Sequence, residues 1–110
     1  MVEVKSIIFT RNNKSFIIDN KEKPILNYNG LIISINENQI IKYLNSLYRI
    51  INSWEHEYIN NNRVDADIWT LLITYRDDSI DEYKGRNSYP YNFESLEELN
   101  YNLVDEVLNV

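Results

Sequence analysis

The chain predicts an α+β fold: an antiparallel sheet of four to five strands with two helices packed on one face, in the order β-β-β-α-β-β-α. Three observations lead there. Short runs rich in β-branched and aromatic residues recur at Val2–Thr10, Ser15–Asp19, Leu31–Ile35 and Ile68–Tyr75, the last with period-two alternation, and turn signals such as Asn12-Asn13 and Asn29-Gly30 punctuate them. Two longer stretches, opening near Asn36 and Phe93, place apolar residues at helical three-and-four spacing. The 110 residues make one domain, 1–110, whose size allows about 65% of the unfolded surface to be buried.

Taken in order, Val2–Thr10 and Ser15–Asp19 form a hairpin across Arg11-Asn12-Asn13-Lys14, because Asn reaches left-handed backbone conformations cheaply. With Asn12-Asn13 at the tip, Phe9 faces Phe16 and Ile8 faces Ile17. Asn20–Pro24 is a charged connection. Ile25-Leu26 starts an extended piece, Asn29-Gly30 signals a tight turn, and Leu31–Ile35 follows as a strand. Asn36 with Gln39 three residues on is a capping box. The helix it opens carries Ile40, Leu44, Leu47, Ile51, Trp54 and Tyr58 on one seam and ends at Asn60-Asn61-Asn62.

Ile68–Tyr75 carries apolar weight on both faces, as expected of a central strand with Trp69 inside. Asp77-Asp78 reads as a two-residue turn, which sets Tyr75 opposite Ile80 and Leu72 opposite Tyr83. Gly85 ends the returning strand, at a positive φ or at a backbone approach too close for a Cβ. After Tyr89-Pro90-Tyr91, Asn92 is placed to cap the last helix, with Ser95 and Glu98 as an alternative capping box. That helix runs from Phe93 to Leu108 with Leu96, Leu99, Leu103 and Val107 inward.

The pattern Trp69-x-Leu71-x-Ile73-x-Tyr75, then Tyr83-x-Gly85-x-Asn87-x-Tyr89-Pro90-x-Asn92-Phe93, resembles a C-terminal pattern of small uncharacterised proteins from low-GC bacteria and their phages. The resemblance spans the second half of the chain. It departs at Asp77-Asp78, where Asp-Gly or Asn-Gly is more usual. It implies a fold and no functional residues. Frequent Asn and Ile, both with AT-rich codons, point to the same kind of source.

Charge is divided unevenly. Residues 1–54 hold seven Lys/Arg against four Asp/Glu, or +3; residues 55–110 hold four against thirteen, or −9, which together give the net −6. Such asymmetry marks an interaction surface or a solvated, solubility-conferring face. There is no cysteine, so disulfides and thiolate metal sites are excluded. With no apolar run long enough to span a bilayer and no leader pattern at the start, the expected location is the cytoplasm.

No constellation points to catalysis. Asp65-x-Asp67 and Asp77-Asp78-x-x-Asp81 match no calcium loop. The single histidine, His56, lies between Glu55 and Glu57 without a nucleophile in reach. Gly30 and Gly85 are too few for a phosphate loop. Neither a metal nor a cofactor is expected. Arg11, Lys14, Lys21 and Lys23 beside Phe9 and Phe16 could bind single-stranded nucleic acid, but the overall acidity disfavours nucleic acid as a direct ligand. The last helix carries Glu94, Glu97, Glu98, Asp105 and Glu106 and no basic residue. Asp105 and Glu106 stand at the end where the helix dipole disfavours acids. Tyrosine is enriched in protein interfaces. These five acids with Tyr89 and Tyr91 form the candidate partner-binding surface. The expected function is that of a small acidic, non-enzymatic inhibitor masking a basic surface of a larger protein, such as a nucleic-acid-binding effector. An anti-defence protein of anti-CRISPR type from a phage or mobile element fits that description. An immunity protein neutralising a toxic nuclease, and a nucleic-acid-binding module using the amino-terminal hairpin, are the alternatives.

Overall fold

A computed structural model describes residues 3–62 and 64–109. Its elements are β1 (Val4–Arg11), β2 (Lys14–Asp19), β3 (Ile25–Tyr28), β4 (Leu31–Ser34), α1 (Glu37–Ile51), β5 (Glu57–Ile59), β6 (Ile68–Tyr75), β7 (Ile80–Arg86) and α2 (Phe93–Leu108). Val2, where the first strand was expected to begin, lies outside the described residues. The strands form one seven-stranded sheet in the order β4-β3-β2-β1-β6-β7-β5. All pairings are antiparallel except β5 on β7. The fold is thus α+β with two helices, as expected, but the sheet is mixed and larger than the four to five strands predicted.

The two extra strands have local and distant causes. Asn29 (φ 50°) and Gly30 (φ 93°) are both left-handed, as a type I′ turn demands. That turn aligns Tyr28 with Leu31 and zips Ile25–Tyr28 into a full strand. The helical seam that the spacing extends through Trp54 and Tyr58 breaks at Ile51. Asn and Ser, at 52 and 53, are poor helix-interior residues, and the Trp54 amide donates back to Ile51 O at 3.0 Å. The chain then turns so that Glu57–Ile59 pairs with Lys84–Arg86 on the open side of β7. Helical spacing persists in the sequence because Trp54 and Tyr58 still face the core, by another route.

The first hairpin keeps the predicted register, with Phe9 opposite Phe16 and Ile8 opposite Ile17. The second differs by one residue. Leu71, not Leu72, faces Tyr83, and Thr74 faces Ile80. The loop has three residues: the Asp78 amide donates to Tyr75 O at 2.9 Å, and Asp78 itself is left-handed at φ 68°. A one-residue change reverses the faces of the whole returning strand, and it sends the Tyr83 ring inward.

One face of the sheet is buried under the helices. Ile7, Phe9, Phe16, Ile18, Leu26, Trp69, Leu71 and Ile73 form a single cluster with Ile40, Tyr43 and Leu47 of α1 and Leu96, Leu103 and Val104 of α2. Asn36 closes its capping box as predicted, its Oδ1 accepting from the Gln39 amide at 2.8 Å and its own amide donating to Gln39 Oε1 at 2.9 Å. Asn92 does not cap α2 with its side chain. Its Oδ1 accepts from Trp54 Nε1 at 2.6 Å and its Nδ2 donates to Ile50 O at 2.9 Å, tying the end of α1 to the start of α2. An indole N–H inside a core needs an acceptor, and that need overrides the local cap.

Candidate functional site

α2 buries Phe93, Leu96, Asn100, Leu103 and Val104. The opposite face carries Glu94, Glu98, Tyr101 and Asp105, spaced four, three and four residues apart, with Glu106 beside them. That spacing lays them along one exposed stripe. Tyr101 is 63% exposed and Tyr91, in the loop before the helix, 89%. Tyr101 therefore belongs to the acidic face. The helix end tolerates Asp105 because Asn109 folds back on it: the Asn109 amide donates to Asp105 O at 3.1 Å, and Asn109 Nδ2 donates to Asp105 Oδ1 at 2.6 Å.

Glu97 and Tyr89 have internal partners. Arg11, at the end of β1, sits on the helix-covered side of the sheet. Its Nη1 donates to both oxygens of Glu97 at 2.8 Å, and its Nε and Nη2 donate to Asp67 at 3.2 and 2.7 Å. The guanidinium also lies over the rings of Tyr89 and Phe93, 5.4 and 5.5 Å from their centroids. The Tyr89 hydroxyl donates to Asp67, and Asn12 Nδ2 donates to the same carboxylate at 3.2 Å. Arg11 holds the Asp67 carboxyl down at about 2, against desolvation, with Tyr89 and Asn12 helping. Burial first, and the Asp67 bond second, raise the Tyr89 phenol. A fork between two carboxylates fixes α2 against β1 and the β6 entrance. Neither the pairing of residues 86 positions apart nor its neutralising effect is visible in the sequence.

This network separates two clefts flanking the first turns of α2. One, of about 340 Å³, is lined by Tyr89, Pro90, Tyr91 and Glu94. The other, of about 350 Å³, is lined by Lys14, Phe16, Tyr28, Asn100 and Tyr101, and both share Arg11 and Glu97. Asn100 is buried; its Oδ1 accepts from Tyr43 at 2.5 Å, and its Nδ2 has no partner among the described residues.

The other candidates are placed as follows. Phe9 and Phe16 are buried and Arg11 is doubly paired, so the amino-terminal hairpin has no free aromatic for base stacking. His56 stacks on Tyr83 at 4.9 Å, and its Nδ1 lies 2.9 Å from Glu82 O. Asp77 accepts from the Ser79 amide in the loop, and Asp81 accepts from Tyr75. Among the described residues no three His, Asp or Glu side chains gather as metal ligands. No described helix is long and apolar enough to cross a membrane. No protein-family model, curated protein or solved structure matches the chain.

Proposed function

We propose that this is a small non-enzymatic binding protein that masks a basic surface on a larger protein, through the exposed stripe of α2 and the loop before it. The observation that carries the reading is the stripe itself. Glu94, Glu98 and Asp105 are exposed with Tyr91 and Tyr101, and no Lys, Arg or His lies anywhere on α2. A helix shaped for stability alone would mix signs along such a face. Acids arrayed around large, rigid tyrosines combine long-range attraction with contact area. Glu97 and Tyr89 support the surface from beneath, by holding α2 in place, rather than presenting free charge. The inhibitor reading, of anti-defence type and acting in the cytoplasm, rests on composition. An immunity protein would use the same face against a nuclease, and the identity of the captured partner separates the two.

The test is kinetic. A partner captured from the native host and then purified is titrated against wild type and against Glu94→Lys/Glu98→Lys/Asp105→Lys, at two salt concentrations. The triple reversal should keep its circular dichroism spectrum and lower the association rate by about tenfold or more, with a smaller change in dissociation. Wild-type association should slow with salt, since exposed charges are screened beyond about 8 Å. Equal association rates and equal salt dependence for the two proteins would refute the assignment.

A further inference from the structure

The two edges of the sheet are treated differently. β5 is three residues long, includes Glu57, and is flanked by Glu55, His56 and Asn60-Asn61-Asn62. Short, charged edges resist pairing with other chains. β4, at four residues, is also short but lacks the charge. No charged residue occurs from Pro24 through Asn36, in a chain that is 25% charged. Among the described residues β3 is the only strand beside β4, and Leu31 and Ile32 are 53% and 62% exposed.

The hydrogen-bond register says which groups the edge offers. With a two-residue loop, Tyr28 and Leu31 are a hydrogen-bonded pair, and bonded and non-bonded pairs then alternate. The Ile35 amide continues the ladder, donating to Pro24 O at 3.2 Å. Ile32 and Ser34 therefore turn their N–H and C=O groups outward.

We propose that this edge is a self-pairing surface, on which a second copy of the chain lays its own β4 antiparallel about a twofold axis at Ile33. In that register Ile32 exchanges both backbone hydrogen bonds with Ser34 of the partner subunit, and Ser34 does so with Ile32 of the partner subunit. Ile33 meets Ile33 of the partner subunit, and Leu31 comes beside Ile35 of the partner subunit, which is itself buried in its own core. The segment Leu31-Ile32-Ile33-Ser34-Ile35 is apolar at 31, 33 and 35, positions that the twofold axis maps onto one another. The copy also brings no charge to the contact, whereas the acids of each chain lie elsewhere. This is the reason for choosing a second copy over a foreign strand. A five-residue pairing covers less than the about 800 Å² per partner of a standard interface. The dimer is accordingly weak and depends on concentration.

Sedimentation equilibrium of the full chain, from about 10 µM to about 1 mM, spans the range in which such a contact forms. Wild type should rise from 13.2 kDa toward twice that mass. Ile32→Lys places like charges across the axis, and Ser34→Pro removes an outward donor that β3 does not use. Both should stay at 13.2 kDa with unchanged circular dichroism. The chain has no cysteine, so Ile33→Cys supplies an independent reading: the non-bonded pair brings the two Cα atoms to about 4.5 Å, within disulfide reach. Ile33→Cys should cross-link in air much faster than Tyr91→Cys, in the exposed loop before α2. A wild type that remains at 13.2 kDa throughout, a dimer that survives both variants, or equal cross-linking of the two cysteines would each overturn the proposal.

Discussion

Gly85→Ala adds one methyl group where the structure has no room for it. Gly85 pairs directly with Trp69 across β6 and β7, and the indole lies over the bare Cα. A Cβ would stand 2.5 Å from Trp69 Cε2 and 2.6 Å from Ser88 O, with Trp69 Nε1 closer still. Ser88 O is backbone. The indole cannot swing away, since Trp69 is fully buried against Phe93 at 4.8 Å and Trp54 at 5.7 Å between ring centroids. The expected positive φ is found two residues on, at Asn87; Gly85 is required by close approach alone. Overpacking of this kind costs about 1–3 kcal/mol. If the indole shifts, its 3.0 Å bond to Ser88 O is also lost, leaving a buried donor unpaired at a further cost of about 1–3 kcal/mol. Alanine recovers less than about 1 kcal/mol of backbone entropy. The expected net loss is about 1–5 kcal/mol, a large part of a typical domain's 5–15 kcal/mol or so. In urea, followed by tryptophan fluorescence, the midpoint should fall by roughly 1–3 M. The same substitution in a Trp69→Phe background, where the indole N–H is gone, should cost at least about 1 kcal/mol less. A midpoint within about 0.3 M of wild type, or equal costs in the two backgrounds, would refute the packing argument.

Three other outcomes follow from the same physics. The folded Asp67 carboxyl titrates at about 2 against an ordinary value of 3.8, so its stabilisation is full above the ordinary value and is lost as pH falls through the folded one; thermal melts between about pH 5 and pH 2 should show a shallower acid decline in Asp67→Asn than in wild type. Asn92→Leu deprives Trp54 Nε1 and Ile50 O of their partners and should cost about 1–3 kcal/mol by urea unfolding, with a change in Trp54 fluorescence that a simple capping loss would not produce. Asn36→Ala opens the capping box of α1 and should cost about 1 kcal/mol, read as a lower melting temperature with the helical signal retained.

The sequence by itself determined the features whose causes lie within a few residues. The Asn12-Asn13 tip, the Asn29-Gly30 turn and the Asn36–Gln39 capping box are chemistry between near neighbours, and each stands where the residues place it. Period-two patterning likewise put Trp69, Leu71 and Ile73 inside. Tertiary structure decided whatever depended on distant partners. α1 ends early because Trp54 finds its acceptor 38 residues away on Asn92 and β7 offers an open edge to Glu57–Ile59. The β6–β7 loop took three residues because the left-handed Asp78 sets the register that buries the Tyr83 ring. The acidic face was legible as composition, but its shape was not. Arg11 reaches 86 positions along the chain to Glu97, pairing one acid of the face with a cation, while Tyr101 faces outward beside Glu98 and Asp105. Periodicity reports which side of an element is apolar. It carries no information on which distant charge or acceptor will meet it there, because those encounters are set by the packing of the whole chain.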